Sequence, residues 1–359
     1  MKSHRRATRV GCTVALALVA TACFGCGDST GPAAPETNGI AAFEVAWSAV
    51  DSQYPFFAFK KIDWDRIYSA YRPRAERATG QAVDVVLLEM LGELKDGHVW
   101  LRPPAGSDIS LHPGWVTEPE GRIWPYYPPR KARDQDVWDT SLLFNYLDPL
   151  SIQVTEDSAV GWATVNGDIG YIYLSEFMPH EITASLHAAV DGVRQTRALI
   201  VDVRHNTGGH RPVIEAFVSR FLTQPQAGLT AYLLGKPLPA PPVRPGGSFQ
   251  YTNPIVVLIN GVSFSGAEAF AEMMRQLPHV TVMGDTTGGG SGGADNRAPG
   301  VVRLPNGAEV GFPTVDLRRY DGMPWEWLGI PPDIRVRQTR ADLANGRDMQ
   351  LEAAIELLR

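Results

Sequence analysis

Cysteine is almost missing from this 359-residue chain: the only three, Cys12, Cys23 and Cys26, all lie close to its N-terminus. The long remainder can form no internal disulfide and no thiolate metal site, so its fold must rest on an apolar core. Lysine is absent after Lys236, which leaves the glycine-rich stretch 288–293 without the lysine and hydroxyl sequence of a phosphate-binding loop. There is no HExxH, and the histidines are dispersed, which argues against zinc hydrolysis. Beyond Ala22 no apolar run approaches membrane-spanning length and no basic run occurs. Removing residues 1–22 removes Lys2, Arg5, Arg6 and Arg9 and takes the net charge from −6 to −10, a balance that argues against a nucleic-acid partner.

The basic head followed by the uncharged stretch 10–22 has the pattern of a secretory signal peptide, too short to span a bilayer. Ala20, Thr21 and Ala22 before Cys23 resemble a bacterial lipobox, making Cys23 the expected lipidated residue and Cys26 the alternative. Residues 23–39 then read as a flexible tether, and the only expected membrane contact is through the lipid anchor. The chain is expected to be exported, to the bacterial periplasm or outer cell envelope.

Apolar residues at helical spacing, Phe43, Val45, Ala46, Trp47 and Val50, then Val83, Val86, Leu87, Met90, Leu91 and Leu94, predict a helical domain over 40–98. From 99 to 166 the prolines are dense and the pattern irregular, which predicts short strands and loops with no convincing PDZ pattern. From 167 the rhythm becomes strand, helix, strand, helix, with buried strands at 169–174, 198–203, 255–259 and 280–283. That alternation implies a largely parallel sheet in an α/β core extending over 167–359. The proline-rich excursion 237–247 reads as a surface insertion or rim, and 288–293 as flexible backbone beside a site.

Two strand-to-helix junctions carry the polar residues. At one, residues 254–260 feed into Ser263, Phe264, Ser265, Gly266, Ala267 and Glu268. A serine there sits at the positive end of a helix, where backbone N–H groups can stabilise an oxyanion. Ser265 with Glu268 three residues on is equally a capping box, a purely structural device. At the other, Asp202, Val203, Arg204, His205, Asn206 and Thr207 precede Gly208 and Gly209, whose freedom allows a sharp turn that presents N–H groups to a ligand. Asp96, Gly97 and His98 end the helical domain; taken alone, His98 is more often a surface or structural histidine.

Together, residues 96–98, 202–209, 260–268, 284–290 and 325–334, in that order, resemble the serine peptidase family of tricorn protease, the C-terminal processing (tail-specific) proteases and interphotoreceptor retinoid-binding protein. The helical segment with Trp47, Tyr54, Pro55, Asp63, Trp64, Asp65 and Tyr71 also looks like the domain that precedes the core in tricorn-type members. The resemblance implies an N-terminal helical domain, a short β-rich middle segment and a crotonase- and Clp-protease-like α/β core. It implies Ser265 as nucleophile, Ser263 as its support, and an oxyanion hole from the Gly266 N–H with that of Gly208 or Gly209. Where the processing proteases carry their lysine this chain has Gly290, so the resemblance points to the tricorn branch, with His98 as base and Glu326 as the orienting carboxylate. Gly97 stands where tricorn has a serine, so one hydrogen-bonding member is missing or supplied elsewhere.

The implied activity is hydrolysis of peptides or unfolded protein segments through an acyl-enzyme, without metal or cofactor. Rival bases are His205 and His210, and rival acids Asp316 and Asp321. The alternative reading from another class is a noncatalytic lipoprotein that uses the same scaffold to bind peptides or hydrophobic ligands.

Overall fold

A computed structural model describes residues 39–104, 111–113, 115–117, 123–125, 139–156, 158–178, 182–238, 240–294 and 299–359. The leader, Cys23 and Cys26 lie outside these residues, as do all but the last residue of the tether and parts of 99–166. Among the described residues no helix is long and apolar enough to cross a membrane.

The centre is a seven-stranded sheet in the order Ile334–Arg335, Val280–Gly284, Ile255–Ile259, Ala198–Asp202, Ile169–Leu174, Val160–Val165, Gln153–Val154. The first five run parallel; Val160–Val165 is antiparallel to both of its neighbours. Strands covered on both faces need apolar residues at every position. Accordingly Leu199 and Val201 enter one core with Val257 and Ile259, while Ala198 and Ile200 enter the opposite core with Val256 and Leu258. Helices Ile182–Gly192, Arg211–Val218 and Gly266–Met274 supply the first core, and Met349–Leu357 the second. The sheet thus begins before residue 167, because the alternation of buried Val160, Ala163 and Val165 continues its hydrophobic faces.

Four helices, Gly39–Gln53, Phe57–Lys60, Trp64–Ala75 and Gln81–Gly92, surround a separate apolar cluster containing Phe43, Trp64, Leu87 and Met90. That cluster is completed from far along the chain by Leu304, Ala308, Val310 and Phe312. The link is a strand pairing, Trp100–Arg102 antiparallel to Glu309–Gly311. Residues 304–312 therefore pack with the helical segment, although they fall within the stretch that sequence pattern alone assigns to the α/β core.

In a parallel sheet, connections leaving the C-terminal strand ends crowd together, and ligands bind where they do. Three such connections converge here: 203–209, 260–265 and 285–293 follow neighbouring strands, with Leu258 in register with Asp202 and Ile259 with Gly284.

Candidate active site

Ser265 lies in the turn between the Ile255–Ile259 strand and the Gly266–Met274 helix, in a conformation unusual for a residue with a side chain, φ 54° and ψ −115°. Such backbone costs on the order of 1–3 kcal/mol and persists only where its surroundings over-determine it. Three interactions do so. Glu268 Oε2 accepts the Ser265 N–H at 2.9 Å. The Phe264 N–H donates to the Asn206 carbonyl at 3.0 Å. Ser263 Oγ donates to the Val203 carbonyl at 2.7 Å and accepts the Asn260 N–H, tying the two junctions together.

Glu268 is fully buried and receives four donors: Ser265 N–H and Gly290 N–H on Oε2, Thr287 Oγ1 and Gly289 N–H on Oε1. Burial pushes its carboxyl up to about 7 while these donors pull it down. The glycine stretch that looked flexible in sequence is therefore pinned and buried. Its glycines are needed for close approach: a Cβ on Gly290 would lie 2.1 Å from Phe264 Cζ and 2.9 Å from His98 Cε1.

Ser265 Oγ belongs to a capping box with Glu268 at the start of its helix. It lies 2.8 Å from His98 Nε2, across 167 residues of chain. The imidazole stacks on Phe264, with centroids 4.8 Å apart and planes inclined by 29°. Burial lowers its pKa, Asp96 opposing and Lys60 and His112 reinforcing.

Around Ser265 the backbone donors are laid out by Gly208, Gly209 and Gly266. The Gly208 N–H is already taken by Asn206 Oδ1 at 2.8 Å. Gly266 N and Gly209 N lie at the same corner, since a Cβ on Gly208 would come within 2.5 Å of Gly266 N and one on Gly266 within 2.8 Å of Gly209 N. Of the two alternatives in sequence, Gly209 is thus the one whose N–H is not spent on Asn206.

Glu326 is buried close by, but its contacts are Lys60 Nζ at 2.7 Å on Oε1 and the Ser291 N–H at 2.9 Å on Oε2. The carboxylate beside His98 is Asp96, whose Oδ1 is 3.8 Å from Nδ1. Burial, with Asp96 adding to it, pushes Glu326 up to about 8. The rival acids are engaged elsewhere, Asp316 with Arg318 and Asp321 with Arg319.

Sequence reasoning did not single out Lys60, Tyr54 as a polar group, Phe264 or Glu268 as site members. Lys60 follows an apolar run and reads as an ordinary helix end, and only the fold brings it to Asp96 at 3.0 Å. Glu268 did carry a signal, its capping spacing, which marks the local half of its role but not the contacts to 287–290.

Beside Ser265 opens a pocket of about 460 Å³, lined by Ile214, Leu229, Ala231, Ala269, Met273 and Leu317 among others. Its lining side chains are mainly apolar, and Arg211 and Glu215 are paired with each other within it.

Residues 168–336 match the model of peptidase family S41, and residues 39–92 that of the tricorn protease C1 domain. A solved structure from Parabacteroides merdae ATCC 43184, itself described only as a candidate peptidase, is 30% identical, with a TM-score of 0.71 over 89% of this chain and 96% of that one. Tricorn protease homolog 1 of Streptomyces coelicolor is 25% identical over 82% of this chain and 33% of its own length. A carboxy-terminal-processing protease of Bartonella bacilliformis is 26% identical over 56% of this chain and 47% of its own. The chain thus spans between a third and a half of these two curated relatives. The solved photosystem II D1 C-terminal processing protease, 16% identical with a TM-score of 0.57 over 89% of this chain and 97% of that one, shares the fold. The matched segments hold the five parallel strands of the sheet, the Ser265 turn and the helices that lead to His98, and the chain belongs to peptidase family S41.

Proposed function

We propose that this protein is a serine endopeptidase that hydrolyses peptides or unfolded protein segments through an acyl-enzyme. The observation that carries the reading is the 2.8 Å approach of His98 Nε2 to Ser265 Oγ. With Nε2 unprotonated, the hydroxyl donates to it, and the imidazole takes that proton as Oγ attacks the scissile carbonyl carbon. The oxygen of the tetrahedral intermediate is received by the N–H groups of Gly266 and Gly209 at the N-terminus of the Gly266–Met274 helix. His98 returns the proton to the leaving amine as the C–N bond breaks. A water then attacks the ester carbon and gives one proton to His98, and as the C–Oγ bond breaks His98 returns that proton to Ser265 Oγ and the carboxylic acid leaves. Glu326 steadies the assembly from behind, through Lys60 and the Ser291 N–H.

The apolar pocket beside Ser265 supports a medium or large apolar side chain on the acyl side of the scissile bond. The sequence pattern that ends at Ala22, with Cys23 directly after it, supports an exported protein held to a bacterial membrane by lipid.

A fluorophosphonate probe tests the reading, because it reacts only with an activated serine. Labelling of wild type and not of Ser265→Ala is the expected result. An unlabelled, correctly folded wild type would overturn the enzyme in favour of a binding lipoprotein on the same scaffold.

A further inference from the structure

His98 Nδ1 is buried and, among the described residues, has no hydrogen-bond partner, which leaves one end of the proton relay open. When His98 accepts the serine proton, the positive charge is shared with this nitrogen, and some group must orient and stabilise it. The acid facing it is Asp96. Its Oδ1 accepts the His98 backbone N–H at 2.9 Å and stands 3.8 Å from Nδ1. Its Oδ2 accepts the Tyr54 hydroxyl at 2.6 Å and faces Lys60 Nζ at 3.0 Å.

Lys60 is as enclosed as Asp96. Its ammonium meets Glu326 Oε1 at 2.7 Å, Tyr54 Oη at 2.8 Å and the carbonyls of Leu94 and Lys95 at 3.3 and 3.2 Å. The rings of Tyr54, Phe56 and Trp327 close over it at 5.1–5.5 Å. One ammonium therefore stands between two buried carboxylates, Asp96 on the side of His98 and Glu326 on the far side.

We infer that Asp96 is the positioning carboxylate of His98 in this chain, and that Glu326 acts on the imidazole only through Lys60. The inference rests on the reading of Ser265 and His98 as nucleophile and base. The gap between Asp96 Oδ1 and Nδ1 is long for a hydrogen bond, but such contacts are often loose before substrate binds and tighten in the complex. The groups facing His98 are Asp96 from its own loop, Lys60 from the Phe57–Lys60 helix, His112, and the neutral Ser265 hydroxyl; of these only Asp96 favours a charged imidazole. Glu326 is held by Lys60 and Ser291 and makes no hydrogen bond or ion pair with His98.

The test is the rate of fluorophosphonate acylation against pH in the full chain, for wild type, Asp96→Asn and Glu326→Gln. Each single variant leaves Lys60 one carboxylate, so neither strands a buried ammonium. Asp96→Asn should slow acylation about tenfold more than Glu326→Gln, and should move the acid limb, which reports His98, down by about one pH unit. A purely structural role for Asp96 would lower the active fraction without moving that limb. Glu326→Gln slowing acylation as much as Asp96→Asn, or an unmoved limb in Asp96→Asn, would overturn the inference while leaving the peptidase reading intact. Absence of labelling in wild type would strike the peptidase reading itself. Should Asp96→Asn not fold, Tyr54→Phe serves, since it removes a donor from Asp96 directly and reaches Glu326 only through Lys60, which loses one acceptor. It should move the acid limb upward, because Asp96 then keeps more of its charge toward His98; an unmoved or lowered limb overturns the inference.

Discussion

Glu268 Oε2 accepts the backbone N–H of Ser265 at 2.9 Å, while the serine's own hydroxyl lies 2.8 Å from His98 Nε2. The capping spacing and the nucleophile position are thus one arrangement rather than competing readings. The carboxylate satisfies the Ser265 N–H at the helix end and locks the turn to Gly289 and Gly290.

Because Ser265 is held at φ 54° and ψ −115°, the turn should be more stable without a Cβ. Ser265→Gly and Ser265→Ala should both abolish probe labelling. In urea unfolding the glycine variant should exceed the alanine variant by about 1 kcal/mol. Equal midpoints would mean the turn carries no strain.

Gly290 has no room for a side chain between Phe264 and His98. Gly290→Ala should therefore push the imidazole off Ser265 and slow acylation about 100-fold, with a stability loss of about 1–3 kcal/mol from overpacking. The comparison of acylation rate with thermal midpoint checks it. A loss of stability with acylation preserved would show that Phe264 alone gives way.

Ala269 lines the apolar pocket from the Gly266–Met274 helix. Ala269→Phe should fill that space and lower kcat/KM for peptides with leucine or phenylalanine before the scissile bond about tenfold or more, while sparing those with alanine there. A matched peptide series decides this. Equal losses across the series would place the preferred side chain elsewhere.

The two raised carboxyls make stability depend on pH. Burial lifts Glu268 to about 7 and Glu326 to about 8, above the 4.5 of an unfolded glutamate. At these two carboxyls the folded chain thus holds more protons than the unfolded one between about pH 4.5 and 8, so their contribution to stability falls as pH rises through that window, while burial of His98, which lowers its pKa, works in the opposite direction up to the ordinary histidine range. Asp96 is held below its usual range, although burial works toward protonation, because Lys60, His98 and Tyr54 outweigh it. Its contribution is lost only at lower pH, outside the same window. From pH 5 to 8 the urea midpoint of wild type should fall relative to that of Glu326→Gln. Parallel curves would show that Glu326 does not titrate there.

Much of the fold was legible because periodicity records burial. Ile255–Ile259 and Ala198–Asp202 are buried at every position, and nearly every residue in them is apolar, as strands covered on both faces must be. Ser265, His98, Gly209 and Gly266 were singled out through the family resemblance that their segments carry in order along the chain, and the structure brings them to one corner. What could not be read were pairings between distant segments. Nothing near Lys60 announces that Glu326 will meet it, and nothing near Trp100–Arg102 marks Glu309–Gly311 as its partner. The glycines at 288–293 misled for a related reason. Glycine permits both a loose backbone and an unusually tight one, and only the neighbours, here Phe264, His98 and Glu268, decide which.

The pairing of Trp100–Arg102 with Glu309–Gly311 also sets a timetable for synthesis. A nascent chain that has not yet reached residue 311 lacks the partner strand beside the His98 loop and the apolar residues, Leu304, Val310 and Phe312, that seal the early helices. Its hydroxyl and its imidazole already exist, yet nothing clamps one against the other. A ribosome-bound chain short of residue 311 therefore holds the early helices without the strand and the apolar side chains that complete their cluster.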